Sequence, residues 1–192
     1  VQGDAMVLDL PALLEEHFAG MPVVVCANLP YYITSPIIMR LLEGPLPIRS
    51  LTVMVQKEAA VRITAAPGTR ECGAISAAVW YYSTPKLLFP VSRGCFRPAP
   101  WVDSAVIRLD LPQELPEDLP PREDFFAVVR AGFGQRRKTM LNSLSAGLRW
   151  EKDATRALLT AAGIAENARA EQVTLEQWKA LTRAYFSMKK SR

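Results

Sequence analysis

Val23-Val24-Val25-Cys26-Ala27-Asn28-Leu29-Pro30-Tyr31 is the stretch of this 192-residue chain on which the fold turns. Val23 to Ala27 is an unbroken apolar run, the pattern of a short strand covered on both faces in a parallel sheet. The run stops at Asn28, and Pro30, which has no N–H to give, denies a continuing strand. In an open α/β sheet the carboxyl ends of the strands line the ligand crevice. The sequence therefore predicts an Asn, a stiffened turn and an aromatic ring together at such an end. The Asn28 amide oxygen and the Pro30 carbonyl are candidate acceptors for an amino group, and Tyr31 offers a flat face to a base. The plain alternative is a strand-to-helix turn with Tyr31 packed inside; the position after the strand favours the site.

Outward from this stretch, strand and helix signals alternate. Asp9 and Pro11 open a helix that runs to Phe18 and stops at Gly20. Ser35-Pro36 opens another, Ile37 to Leu42, closed by Gly44-Pro45. Leu51 to Val55 reads as a second buried strand, Lys57 to Ile63 and Gly73 to Tyr82 as helices, and Lys86 to Val91 and Ser104 to Leu111 as strands. The order β-α-β-α-α-β-β implies parallel crossovers first. The last two strands are too close for a helical crossover, so an antiparallel edge is expected. Prolines 112, 116, 120 and 121 mark a linker, and four helical segments follow: Phe125–Phe133, Thr139–Leu148, Asp153–Ala162 and Leu175–Met188. Thr174 with Gln177 makes a capping-box start for the last. The expected organisation is an α/β domain over 1–112, the second half of a doubly wound sheet, then a linker over 113–121 and a small all-α domain over 122–192.

Composition narrows the function. Hydrophobic residues make up 49% and charged residues 22%, enough apolar material for a packed core. No apolar run reaches the roughly 18–20 residues that span a bilayer. The start, Val1-Gln2-Gly3-Asp4, has neither an initiator Met nor the basic start of a signal peptide, and reads as a chain entered partway. Cys26, Cys72 and Cys95 form no CxxC pair, so buried reduced thiols are expected rather than a zinc site or disulfide framework. With His17 alone, on a polar surface, a Ser-His-Asp triad or a multi-His metal site is excluded. Residues 1–120 carry 9 basic and 12 acidic residues, net −3, and residues 121–192 carry 14 and 7, net +7. A basic C-terminal portion suggests a polyanionic partner. Arg136-Arg137-Lys138, with Arg130 and Arg149 nearby, is its densest cluster. Phe96 taken alone is a core aromatic, but its setting in the irregular loop Gly94 to Pro100 favours a functional loop, and Arg93 and Arg97 beside it are candidate phosphate contacts, with a solvated pair as the plain alternative.

Taken together, these segments resemble the rRNA adenine-N6,N6-dimethyltransferases, the KsgA family. Asn28-Leu29-Pro30-Tyr31 followed by Tyr32-Ile33-Thr34-Ser35-Pro36-Ile37 is similar to the family's catalytic loop. Val55-Gln56-Lys57-Glu58 with Arg62-Ile63, Pro67-Gly68-Thr69 and Gly73-Ala74-Ile75-Ser76 follow in the family's order. So do Phe96-Arg97-Pro98-Ala99-Pro100-Trp101-Val102-Asp103-Ser104-Ala105-Val106, Phe133-Gly134-Gln135-Arg136-Arg137-Lys138-Thr139 with Asn142, and Arg169-Ala170-Glu171. Cys72, Cys95 and Trp101 stand where many relatives are expected to carry other residues.

The resemblance implies a Rossmann-like class I methyltransferase sheet and methyl transfer from S-adenosylmethionine to N6 of two adjacent adenosines. Their place is the 3′-terminal hairpin loop of 16S rRNA, in small-subunit biogenesis. It implies catalytic roles for Asn28, Leu29, Pro30 and Tyr31, stacking of the target base by Tyr31 and Phe96, and cofactor contacts from Asp4 (in Gly3-Asp4-Ala5) and Asn28. RNA contacts fall to Arg93, Arg97, Arg136, Arg137 and Lys138. A cytoplasmic monomer without metal is expected. The family's first strand and its Gly-rich E-x-G-x-G-x-G loop are absent, so this chain by itself is expected to bind the cofactor poorly. Two rivals remain. One is a 23S rRNA methyltransferase of the macrolide-resistance type, disfavoured by Leu29 and by Gln135 to Thr139. The other is a non-catalytic RNA-binding assembly or transcription factor on the same scaffold, which would have no use for an intact Asn28–Tyr31 loop.

Overall fold

The apolar run from Val23 does form a strand, β1 (Val23–Asn28), and the other strands of the sheet assemble beside it. The structure is a computed structural model describing residues 1–114, 116–117, 119–135 and 137–190. The sheet holds β1, β2 (Ile48–Gln56), β3 (Thr84–Val91) and β4 (Ser104–Asp110) in the order β1-β2-β4-β3. β1 and β2 are parallel, with Asn28 opposite Met54. β4 runs antiparallel to both β2 and β3, so the terminal hairpin inserts its second strand beside β2 and leaves β3 at the edge. Two prolines, Pro85 and Pro90, sit in β3, as an edge strand tolerates.

Alternation along the strands explains the core. Leu51, Val53 and Val55 of β2 face Leu109, Ile107 and Ala105 of β4 in register, and all six are fully buried. Ala60 and Ile63 of α3 (Lys57–Thr64), which packs on β2, β3 and β4, belong to the same core. The opposite face is more open. Val24 is 70% exposed and Cys26 and Asn28 are exposed, so β1 is covered on one face rather than both. A continuous apolar run states only that burial is affordable, not which neighbour supplies it.

The helices follow local signals. Asp9 caps α1 (Leu10–Phe18) by accepting the Ala12 N–H at 3.1 Å, with Pro11 in its first turn. α2 (Thr34–Glu43) begins after a 3-10 turn over Tyr31–Ile33. The chain divides into two compact units, 1–64 with 79–114, and 65–78 with 115–192, so the division falls inside α4 (Ala74–Tyr82). An uninterrupted first domain over 1–112 therefore needs correction for 65–78. Cys72 of this excursion is buried, and a Cβ on Gly68 would meet the Thr174 side chain at 3.3 Å. Contiguous reading of a sequence has no signal for a loop that packs with a later segment.

In the second unit α5 (Arg122–Phe133), α6 (Met140–Leu148), α7 (Lys152–Ala161) and α8 (Leu175–Lys190) enclose Phe125, Met140, Leu144, Leu158, Leu159, Trp178 and Leu181. Thr174 and Gln177 form the capping box of α8: each accepts the other's backbone N–H, at 3.3 and 3.0 Å. Arg149 ends α6 in the left-handed region at φ 57°.

Candidate active site

β1 delivers Asn28 to its carboxyl end, and the next residues are fixed one by one. Leu29 is buried, and its N–H donates to the Met54 carbonyl at 3.1 Å, which ties the loop to β2. The Pro30 carbonyl accepts the Ile33 N–H at 3.2 Å and the Thr34 hydroxyl at 3.1 Å. A carbonyl has two lone pairs, so Pro30, expected as a second acceptor for an amine, is already engaged in holding the turn. The Leu29 carbonyl has no partner among the described residues and takes its place as the loop's open backbone acceptor. The Tyr31 hydroxyl shares a hydrogen bond of 2.7 Å with the Ser104 hydroxyl at the buried start of β4. Gln56 pairs with Ser104 in register, so one bond clamps the loop to the carboxyl end of the central strand.

Around this loop lies an open cavity of about 330 Å³, lined by Asn28, Leu29, Pro30, Tyr31, Phe96, Pro98 and Pro100. Phe96, some seventy residues away in sequence, is thus brought to the Asn28 loop, half-buried. The lining holds no carboxylate and no histidine. What it offers is an exposed amide, backbone oxygens and two aromatic rings, a set suited to holding a planar base with an amino group rather than to taking a proton from it.

A second cavity, about 430 Å³, is lined by Gln56, Lys57, Glu58, Arg93, Trp101, Val102 and Asp103. Arg93 is placed here, not at the first cavity. Its backbone N–H donates to the Asp103 carboxylate at 3.0 Å and its guanidinium to the Trp101 carbonyl at 3.3 Å. Arg97 is exposed and lines neither cavity.

Asp4 lies outside both cavities, in a turn where one carboxylate oxygen accepts the Met6 N–H at 2.7 Å. The Arg40 guanidinium of α2 donates to the carbonyls of Met6 and Leu8 and holds this turn. In the second unit, Arg137 and Lys138 are exposed just before Thr139, the N-cap of α6; Arg136 lies outside the described residues. Ser104 and Arg40 are the residues that sequence reasoning missed as site-forming. Ser104 stands in the Phe96 to Val106 segment, but nothing local pairs it with Tyr31; Arg40 carried no signal.

Two of the thiols depart from expectation. Cys26 and Cys95 are exposed and only Cys72 is buried, where desolvation pushes its thiol above the ordinary value, outweighing hydrogen bonds from Ser76 and Gly68 that pull it down. Among the described residues no cluster of metal-ligating side chains occurs, and no helix is long and apolar enough to cross a membrane.

Comparison with known proteins identifies the family. Residues 1–186 match the family model described as ribosomal RNA adenine dimethylase. Ribosomal RNA small subunit methyltransferase A of Alkaliphilus oremlandii is 50% identical over 183 residues, 94% of this chain and 63% of that protein. The protein of the same name from Clostridioides difficile is 42% identical over 182 residues, 95% of this chain and 63% of that protein. This chain thus spans a little under two thirds of these relatives' length. A dimethyladenosine transferase structure from Plasmodium falciparum superposes with a TM-score of 0.74 at 21% identity, covering 97% of this chain and 72% of that one. The 23S rRNA methyltransferase ErmE superposes at 0.66 with 26% identity, covering 96% and 70%. The sheet is therefore that of the Rossmann-like class I methyltransferases, and the chain belongs to the ribosomal RNA adenine dimethylase family.

Proposed function

We propose that the full-length protein transfers methyl groups from S-adenosylmethionine to N6 of two adjacent adenosines in the 3′-terminal hairpin loop of 16S rRNA, as a step of small-subunit biogenesis. The observation that carries this is the first cavity, where Asn28, Leu29, Tyr31 and Phe96 converge. The small-subunit target is favoured over the 23S alternative by the curated relatives at 42–50% identity, which are small-subunit enzymes by name.

The chemistry asks little of an acid or base. An adenine N6 is a poor nucleophile because its lone pair delocalises into the ring, and its proton becomes acidic only as the N–C bond forms. The site's task is to hold the amine with acceptors that stabilise the developing positive charge and to align it with the methyl group. In this reading the Asn28 amide oxygen and the Leu29 carbonyl accept from the N6 amine, Pro30 holds the turn that aims them, and Tyr31 and Phe96 stack on the flipped base. The proton leaves to water, in keeping with a lining that has no carboxylate or imidazole.

S-adenosylmethionine, when bound, supplies the electrophilic methyl group. The chain's residues fit one part of it. Asp4 keeps one carboxylate oxygen beyond its bond to Met6, open to an amino group, and Asn28 is exposed at the strand end. The one Gly-x-Gly, Gly132-Phe133-Gly134, closes α5 and is not a strand-to-helix loop.

The basic second unit supplies the grip on RNA. Arg137 and Lys138 precede a helix N-terminus, where the dipole disfavours cations, so helix stability does not explain them. Phosphate does, since it suits both the cations and the N-terminal N–H groups.

The test is Asn28→Ala in the full-length protein, in single-turnover methylation of an rRNA fragment. The rate falls by about 2–4 kcal/mol of barrier, as when a charge-stabilising group is removed, while RNA affinity is unchanged. A wild-type rate removes Asn28 from the mechanism.

A further inference from the structure

We propose that the second cavity is a subsite for an unpaired nucleotide neighbouring the target adenosine, its base lying on the Trp101 indole and its phosphate between Lys57 and Arg93. The inference rests on the first cavity taking the flipped adenosine.

Trp101 is 95% exposed, the most exposed of the large apolar side chains among the described residues. An indole offers one of the largest apolar surfaces available for burial, so leaving it in water forgoes stabilisation that folding would otherwise collect. Its backbone is nevertheless held. The Arg93 guanidinium donates to the Trp101 carbonyl, the Arg93 N–H to the Asp103 carboxylate, and the Lys57 N–H to the Asp103 carbonyl at 3.0 Å. One residue further on, Ser104 is clamped to Tyr31. A ring this exposed on a support this constrained is a preorganised platform, with the ordering of its backbone already accomplished before a ligand arrives.

The cavity beside it has the chemistry of a nucleotide site rather than of an apolar slot. At about 430 Å³ it falls within the range of small-ligand pockets. The Gln56 amide can read a base edge. Lys57 offers an ammonium, and the Arg93 guanidinium retains donors beyond the one given to Trp101. Glu58 and Asp103 balance these two cations, which suits a base with a single backbone phosphate and disfavours a polyphosphate. Both cavities are walled by the one connection between β3 and β4, Phe96, Pro98 and Pro100 on the first and Arg93, Trp101 and Val102 on the second. Adjacent nucleotides of one strand can therefore occupy both, and stacking the neighbour on Trp101 would hold the strand splayed while the target base is turned out.

The experiment measures binding of the full-length protein to an rRNA hairpin, intact or with the base removed at one neighbour of the target adenosine. Trp101→Ala is expected to weaken binding of intact RNA roughly 5- to 150-fold, the range for a lost base–aromatic stack, and Trp101→Phe to retain most of it. Removing the base at one neighbour should weaken the wild type by a similar factor and leave Trp101→Ala indifferent. Wild-type affinity in Trp101→Ala overturns the proposal. So does an equal loss on intact and abasic RNA at both neighbours, which would place Trp101 against protein instead. Circular dichroism confirms that the variants are folded. The rate of Asn28→Ala is read separately: if it is unaffected, the adenosine reading of the first cavity falls, whereas an unresponsive Trp101 alone removes only the second subsite.

Discussion

Tyr31 shares a hydrogen bond between its hydroxyl and that of Ser104 and keeps its ring for the cavity, so its two functions separate by substitution. Tyr31→Phe should lose only the hydrogen bond, about 0.5–1.5 kcal/mol of stability, and still capture the adenosine. Tyr31→Ala and Phe96→Ala should each weaken capture of the base by about 1–3 kcal/mol, measured as RNA affinity, with the α/β unit still folded; unfolding at room temperature would make the ring a core residue. The cysteines give an independent check. A thiol whose pKa is raised stays protonated as pH rises, and only the thiolate is nucleophilic. Iodoacetamide at mildly alkaline pH should therefore label Cys26 and Cys95 and spare Cys72 until the protein unfolds, as read by peptide mass spectrometry. At this scale the sequence pointed to Asn28, Tyr31 and Phe96 because residue type and loop position coincide. It could not show that Pro30's carbonyl is occupied, nor that Cys26 faces outward, because both depend on which atoms come near in space.

Among the elements, periodicity and punctuation placed nearly every helix and strand, because Pro, Gly and capping residues mark their ends locally: Asp9 for α1 and Thr174 for α8. Strand order was less legible. The closeness of β3 and β4 signalled an antiparallel pair, but their insertion with β4 against β2 follows from the long-range match of Leu51, Val53 and Val55 with Leu109, Ile107 and Ala105. Helix crossings are also invisible to composition. Gly147 of α6 lies so close to α5 that an added Cβ would stand 2.6 Å from the Ala131 Cβ and 2.7 Å from its Cα. Part of that obstacle is backbone, which cannot swing aside. Gly147→Ala should cost about 1–3 kcal/mol through overpacking, despite alanine's better helix propensity, and appear as a lowered Tm. An unchanged or raised Tm would mean that the two helices separate without cost.

Across the whole molecule the charge is divided: −3 over residues 1–120 and +7 over 121–192. That division was legible because charge counts need no structure, whereas the association of 65–78 with the second unit was not, since nothing local announces it. The proposed chemistry lies at the neutral cavity and the proposed RNA grip on the basic unit. Each phosphate contact releases counterions, so binding should weaken steeply with salt. Neutralising Arg136, Arg137 and Lys138 together should flatten the slope of log affinity against log salt by roughly 2–3 units and leave methylation of a saturating RNA nearly intact. An unchanged slope in a salt series would move the grip elsewhere, with Arg93 and Arg97 next. The central claim is adenine methylation through the Asn28 loop, and nucleoside mass spectrometry of unmodified 16S rRNA incubated with S-adenosylmethionine and the full-length protein tests it most directly. The expected result is N6,N6-dimethyladenosine at two adjacent positions of the 3′-terminal hairpin with the wild type and little or none with Asn28→Ala at equal time. No adenine methylation by the wild type, or equal yield from both, would contradict it.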